Sequence, residues 1–510
     1  MKKIKLYVMA GLSALVLTQS ACSNFDEINT NPNSTTTASA SLLCTGNILS
    51  IFKFTGDTKA YISSNALPKY VGYANEGQLG PQYNVIGAGS FGSMTRLPDI
   101  EQMVEYAKGT AMESSYRGVA KFVRAYMFYS MTMQMGDIPY SETNRGLEGY
   151  YTPKYDLQED VLQGILDELK EADEYFAQGV TFTGDPTPYD GDPKKWRRAT
   201  NAFALRVLMS LSKRADDSKI NVKQRFADIV AQNQLMEAST GYLGLIYSSK
   251  NRYPLYGTND TFTARTILSS LVVNYLKKLS DRRLFYYAEP AAAQTRAGLQ
   301  ANDPEAYVGV DVDMVYADMN KGHTAGQYSI INLRYQKEET GEPRMFVTYA
   351  EQQLIIAEAC LRGWVSGSAK DYYESGVKAA LMDVSENAAA SYAHGMAIDA
   401  AYIDSYFTGE AAFKSAKDDQ LKQVWLQRYL LGFLQTPTNA FYEYRRTTYP
   451  EFPINPNTNL NPEPGNEDKI PMRWTYPTSE ANYNQENLDE ALNRQYGGYN
   501  EVNQLMWLLK

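Results

Sequence analysis

The first 22 residues split the chain into a leader and a body, and that split constrains everything after it. Met1-Lys-Lys-Ile-Lys5 is basic, an apolar run extends from Leu6 to Leu17, and Thr18-Gln-Ser-Ala-Cys22 closes it. A basic start, a short apolar core and small residues at the exit describe a secretory signal. The run is about a dozen residues, short of the ~20 that a spanning helix needs. Cys22, directly behind Ser20 and Ala21, holds the position of a lipobox thiol, which is acylated and becomes the first mature residue. Residues 1–21 therefore read as a signal peptide. Residues 22–40, rich in Ser, Asn and Thr around Pro32, read as a lipidated tether, and residues 41–510 as the folded body.

Loss of residues 1–21 removes Lys2, Lys3 and Lys5 and no acid, so the formal charge falls by three from −9. A body this acidic is a poor partner for nucleic acid or anionic headgroups. No later stretch is apolar for long enough to form a second anchor. The body exceeds the roughly 250–300 residues that one core supports, which predicts several packed lobes or a solenoid-like spine. After Cys22 only Cys44 and Cys360 remain, too few for a disulfide framework.

Helical periodicity dominates about 100–240 and 345–435. From Ser114 to Met135 apolar residues recur at Val119, Phe122, Val123, Tyr126, Met127 and Met133. Asp156, with Glu159 three residues on, has the pattern of an N-cap before Val161, Ile165, Leu169 and Phe176. Further helices are predicted at 195–214, around Phe226–Val230, and at 348–363, 370–384 and 419–434. Residues 240–345 are dense in Gly, Asn, Tyr and Pro, with short candidates at 266–279 and 328–335. Residues 447–510 carry seven prolines from Pro450 to Pro477 and are expected to be mostly irregular. Paired helices of this length predict a mainly α fold of stacked, tetratricopeptide-like hairpins, although no clean repeat of ~34 residues is present.

Catalytic signals are sparse. His323 and His394 stand in loop-like contexts without metal-ligand spacing, and each reads as a solvated loop histidine. There is no Gly-x-Ser-x-Gly elbow, Walker loop or dinucleotide fingerprint. Asp192, before Pro193, reads as a helix cap. Asp311-Val-Asp313 could face Ca²⁺ but lacks the glycine and distal Glu of an EF-hand loop. No cofactor, metal or catalytic residue is predicted. The unusual signal is tyrosine, with 40 residues against 18 Phe and 5 Trp. Tyrosine offers a flat apolar face and a hydroxyl, which suits stacking on a sugar ring while bonding its edge.

A series of short motifs carries a family resemblance. They are Phe25-Asp-Glu-Ile-Asn-Thr-Asn-Pro-Asn33, Gly136-Asp-Ile-Pro-Tyr-Ser-Glu142, and Gly191-Asp-Pro-Lys-Lys-Trp196 leading into Asn201-Ala-Phe-Ala-Leu-Arg206. Tyr349-Ala-Glu351 follows, with Ala357-Glu-Ala359 and Gly363-Trp364, then Arg445-Arg-Thr-Thr-Tyr-Pro450 and Ile470-Pro-Met-Arg-Trp-Thr-Tyr-Pro477. From Cys22 onward the chain resembles the SusD/RagB-like outer-membrane lipoproteins of Bacteroidetes, in the SusD-like 2 branch. Two positions depart from the pattern. Arg282 stands where the family has Pro. Thr448 stands where it has Gly, so a turn built differently is expected there.

The resemblance implies a helical scaffold, with Trp196 and Trp364 in its core, supporting an irregular ligand-binding lobe from about 66–96 and 240–345. It implies a non-enzymatic surface lipoprotein of the outer membrane that binds a nutrient. The ligand expected is an oligosaccharide, delivered to a SusC-like TonB-dependent transporter. The alternatives are a peptide ligand or a surface glycan hydrolase. Asp26 and Glu27, behind the lipid site, resemble an acidic surface-export signal or are plain solvated linker. No family motif marks the ligand site. Chemistry and location alone nominate Tyr70, Tyr73, Tyr83, Tyr253 and Tyr256 for stacking, and Gln78, Asn84, Asn259 and Arg265 for hydrogen bonding.

Overall fold

Long amphipathic segments fold into the helices that their periodicity predicts. A computed structural model describes residues 38–74, 79–257 and 262–510, so Cys22, Asp26, Glu27, Gln78 and Asn259 lie outside the described residues. Counting helices of nine residues or more, α1 (Ala40–Phe52) and α2 (Thr58–Ala66) precede strand β1 (Val71–Tyr73). The first scaffold half is α3 (Leu97–Ala107), α4 (Glu113–Met135), α5 (Gln158–Ala177), α6 (Pro193–Ser210) and α7 (Val222–Ala231). The middle holds β2 (Tyr242–Leu245), β3 (Thr266–Leu268), α8 (Ser270–Lys278), α9 (Tyr316–Thr324) and β4 (Arg344–Thr348). Then come α10 (Tyr349–Arg362), α11 (Ala369–Asn387), α12 (Lys417–Leu431), α13 (Pro437–Thr447) and α14 (Gln485–Tyr496).

The hairpins α4–α5 and α10–α11 are the most extensive helix pairs, and α6 and α12 flank α10. Small residues set their closeness. A Cβ on Gly118 of α4 would stand 2.8 Å from the Phe176 ring of α5, and one on Gly376 of α11 would stand 2.9 Å from the Ala350 carbonyl of α10. One apolar core fills the space between α1, α3–α7 and the inner side of α10. A second lies beneath the lobe, against α8 and α10–α13. Trp196 and Trp364 are both buried in the first core, and the Trp196 indole N–H donates to Asp185 at 2.7 Å.

Two small antiparallel sheets brace the lobe. β1 pairs with β3 in the register Val71↔Leu268 and Tyr73↔Thr266. β2 pairs with β4 from Tyr242↔Thr348 to Leu245↔Arg344, with a shift between Leu243 and Gly244. The candidate helix at 266–279 is therefore a strand followed by α8. The tail is not irregular throughout, because beyond Pro477 a short helix (Thr478–Tyr483) and α14 form.

Asp156 is not the cap expected of it. Its carboxylate accepts from the N–H groups of Tyr140 and Ser141, both at 2.9 Å, which the turn after α4 leaves unpaired. Asp137 takes the capping role, accepting from Gln158 N–H at 2.8 Å and from Arg494 Nη2 at 2.6 Å. The Gly136-Asp137 motif thus ties the end of α4, the start of α5 and α14 together. Asp192 caps α6 as predicted, accepting from Lys194 N–H at 2.8 Å.

The two departures from the family pattern have local explanations. Thr448 keeps a left-handed backbone, φ 56°, at the end of α13, so the turn that a glycine would make is retained with a β-branched residue in it. Arg282 donates its backbone N–H, which proline lacks, to the Tyr402 hydroxyl at 2.9 Å, and its guanidinium lies 4.3 Å over the Tyr402 ring.

Candidate functional site

The tyrosines of the irregular lobe reach for carbonyls within the lobe and at the end of α12. Tyr70 is wholly buried. Its hydroxyl donates to the Tyr429 carbonyl at 2.5 Å while its ring leans on Tyr429 and Phe433. Tyr83 is buried, with its hydroxyl on the Met314 carbonyl at 3.0 Å. Tyr253 is buried among Tyr61, Tyr247 and Tyr335, its hydroxyl 3.2 Å from that of Tyr61. Tyr73 is a buried strand residue, its ring stacked near Phe262 at 6.5 Å. Asn84 is buried too, its side chain accepting from Lys69 and donating to Asn459. These five positions are corrected to packing residues. Their rings and amide are turned into the protein rather than presented as an open stacking surface.

Tyr256 and Arg265 retain partial exposure. Tyr256 sits beneath the Arg252 guanidinium, 5.5 Å from its ring centre. Arg265 reaches the Ala74 carbonyl at 3.4 Å, across the end of the β1–β3 pair. That end gathers more chemistry than the sequence indicated. Half-buried Phe262 adjoins Tyr73, and His323 stands close enough to feel the Arg265 charge. Burial first, and Arg265 second, hold His323 below the usual imidazole range. His323 is therefore in α9 and half-buried, not in a solvated loop. Tyr328 packs on Gly322 of the same helix. The signal that could have found His323 is Tyr316–Thr324 read as one helical turn pattern, which Gly322 and Gly326 obscure.

His394 is also half-buried rather than solvated, its Nε2 3.3 Å from Glu289 Oε2 and 3.4 Å from the Asn332 amide. Cys44 and Cys360 are both free thiols. Among the described residues no group of three or more His, Cys, Asp or Glu is placed to hold a metal ion, and no helix is long and apolar enough to cross a membrane. The site at the β1–β3 end can bind by stacking, by guanidinium hydrogen bonds and by a neutral imidazole.

A family model described as "Starch-binding associating with outer membrane", SusD-like 2, matches residues 32–477. The chain belongs to the SusD-like family. A SusD homologue from Bacteroides fragilis NCTC 9343 is 39% identical and superposes with a TM-score of 0.88, covering 93% of this chain and 100% of its own. Another from the same strain is 32% identical, with a TM-score of 0.80 and the same coverage of both chains, 93% and 100%. A chitin-binding protein shares the fold at 23% identity, with a TM-score of 0.71 over 92% of this chain and 100% of its own. No curated protein matches the chain. The SusD-like family comprises nutrient-binding outer-membrane proteins, which are binding proteins rather than enzymes.

Proposed function

We propose that this protein is a cell-surface lipoprotein, tethered through Cys22, that captures an oligosaccharide and passes it to a SusC-like TonB-dependent transporter. The observations that support the reading are half-buried Phe262 beside Tyr73, Arg265 reaching across the end of the β1–β3 pair, and His323 within range of the Arg265 charge. Aromatic faces beside fixed hydrogen-bonding groups are what a sugar ring requires. The family's starch-binding description and the chitin-binding fold neighbour favour a glycan over a peptide.

Calorimetry against a glycan panel tests the reading. Phe262→Ala, Arg265→Ala and Tyr256→Ala should each weaken binding about 5–30-fold, the equivalent of ~1–2 kcal/mol, with an unchanged melting temperature. Binding that none of them alters would place the ligand elsewhere, peptide binding alone would select the runner-up, and turnover of any glycan would overturn the binder. For the anchor, Cys22→Ala should abolish detergent-phase partitioning.

A further inference from the structure

Lys69 is wholly buried where four segments of the lobe meet. Its Nζ donates to the Gln82 carbonyl at 2.6 Å and to Asn84 Oδ1 at 2.7 Å. Both acceptors are neutral, and among the described residues Lys69 forms no ion pair. Asp313 is the charged group that acts on it, and Asp313 itself feels Asp311. A neutral amine has two N–H donors, which match the two acceptors. An ammonium brings a third donor and a charge into the same space without a contacting partner. Burial accordingly pushes Lys69 down to about 7, against the opposing pull of Asp313.

The two acceptors hold much of the lobe. Gln82 accepts from Tyr73 N–H at 3.0 Å and donates to the Val312 carbonyl at 3.0 Å, which links β1 to the segment before α9. Asn84 donates to Asn459 at 3.1 Å, and the Asn459 amide serves the carbonyls of Asn466, Glu467 and Lys469. Leu460 N–H closes the join on the Tyr83 carbonyl at 2.9 Å. The amine therefore holds the two residues of the 79–84 turn through which β1 and the 455–469 segment are joined.

We propose that Lys69 is a proton-sensitive latch, whose neutral amine fastens the 79–84 turn and the 455–469 segment and whose protonation loosens them. The sign follows from linkage. In an opened lobe the amine returns to its ordinary range near ~10.5, so opening takes up a proton at any pH between 7 and ~10.5. The latch is weakest, and insensitive to pH, below 7, where both forms are charged. Above 7 it tightens about tenfold per pH unit. The test reads the latch without any ligand and does not depend on where the ligand binds.

Hydrogen–deuterium exchange of the full mature chain at pH 7, 8 and 9, corrected for intrinsic exchange chemistry, should show opening at 79–84 and 455–469 falling about tenfold per pH unit. The α4–α5 hairpin should show no such trend. Lys69→Met should abolish the trend. Should that variant fail to fold, Asp313→Asn, which removes the charge that favours the ammonium, should move its onset to lower pH. A flat wild-type profile, a trend that survives in Lys69→Met, or an onset unmoved in Asp313→Asn would each overturn the latch. Failure of glycan binding would leave it standing.

Discussion

Where α10, α12 and α13 cross, Glu358 accepts from Arg446 Nη1 at 2.6 Å and Nη2 at 2.8 Å, and from Arg362 Nε at 2.9 Å. Arg446 also reaches Glu443 at 2.6 Å. Arg428 joins Glu443 at 2.5 Å and approaches Glu351, which meets Arg206 Nε at 2.9 Å. In the lobe the same structural work falls to hydroxyls. Tyr70 bonds the carbonyl of Tyr429 at the end of α12, whose own hydroxyl returns to the Pro68 carbonyl, Tyr83 bonds the Met314 carbonyl and Tyr307 the Ala301 carbonyl, at 2.5–3.0 Å. The difference has a backbone origin. Helices satisfy their own carbonyls, so the polar groups between them are free to be charges that fix how the helices cross. An irregular segment leaves carbonyls over, and tyrosine brings a donor on a large apolar ring that can be buried with it. The lobe does hold buried ion pairs, Arg283–Asp281 and Arg334–Glu342, but among the described residues no connected chain of charges like the scaffold's.

This contrast can be broken by mutation. Glu358→Ala should cost about 3–5 kcal/mol in urea unfolding, since it leaves buried arginines uncompensated. A loss below about 1 kcal/mol would mean that the network does not brace the helices. The arginines, led by Arg446, overcome burial and hold Glu358 down to about 2. Its stabilisation is therefore complete above the ordinary pKa of 4.5 and is lost as pH falls from there toward 2, a limb that Glu358→Gln should lack. In the lobe, Tyr70→Phe keeps the ring and deletes one donor, so about 1–3 kcal/mol should be lost, with no new pH dependence. No change in melting temperature would show the hydroxyls to be redundant. Arg282→Pro, which restores the family residue, should cost about 1 kcal/mol through the lost bond to Tyr402. The last effect, of similar size, has the opposite sign. Thr448→Gly should stabilise by roughly 1 kcal/mol, because glycine holds φ 56° without strain.

The scaffold was legible because α4, α5, α10, α11 and α12 each repeat an apolar face over several turns, and the predicted spans differ from the observed ones by a few residues at their ends. α1, α2, α3, α13 and α14 escaped because they stand next to loops or Gly- and Pro-rich runs that mask their period. The site was less legible. Tyr70, Tyr83 and Tyr253 carry turn-like neighbours that mark a loop but say nothing of which way the ring points. In an irregular lobe that direction is set by distant carbonyls such as those of Tyr429 and Met314. Arg265 and His323 meet only through the fold, so neither spacing nor composition could join them.

The Asp137 junction bears on the order in which the chain assembles. Gln158, at the start of α5, also accepts from Leu508 N–H at 3.0 Å, a partner 350 positions later, and Leu508 and Leu509 are buried in the scaffold core beside it. With Arg494 held by Asp137, the earliest long hairpin is finished by a residue 357 positions further along the chain. Loop closure over that span is slow compared with forming the hairpin itself. A partly made chain thus carries a half-built first hairpin, exposed to proteases and chaperones until those distant residues arrive.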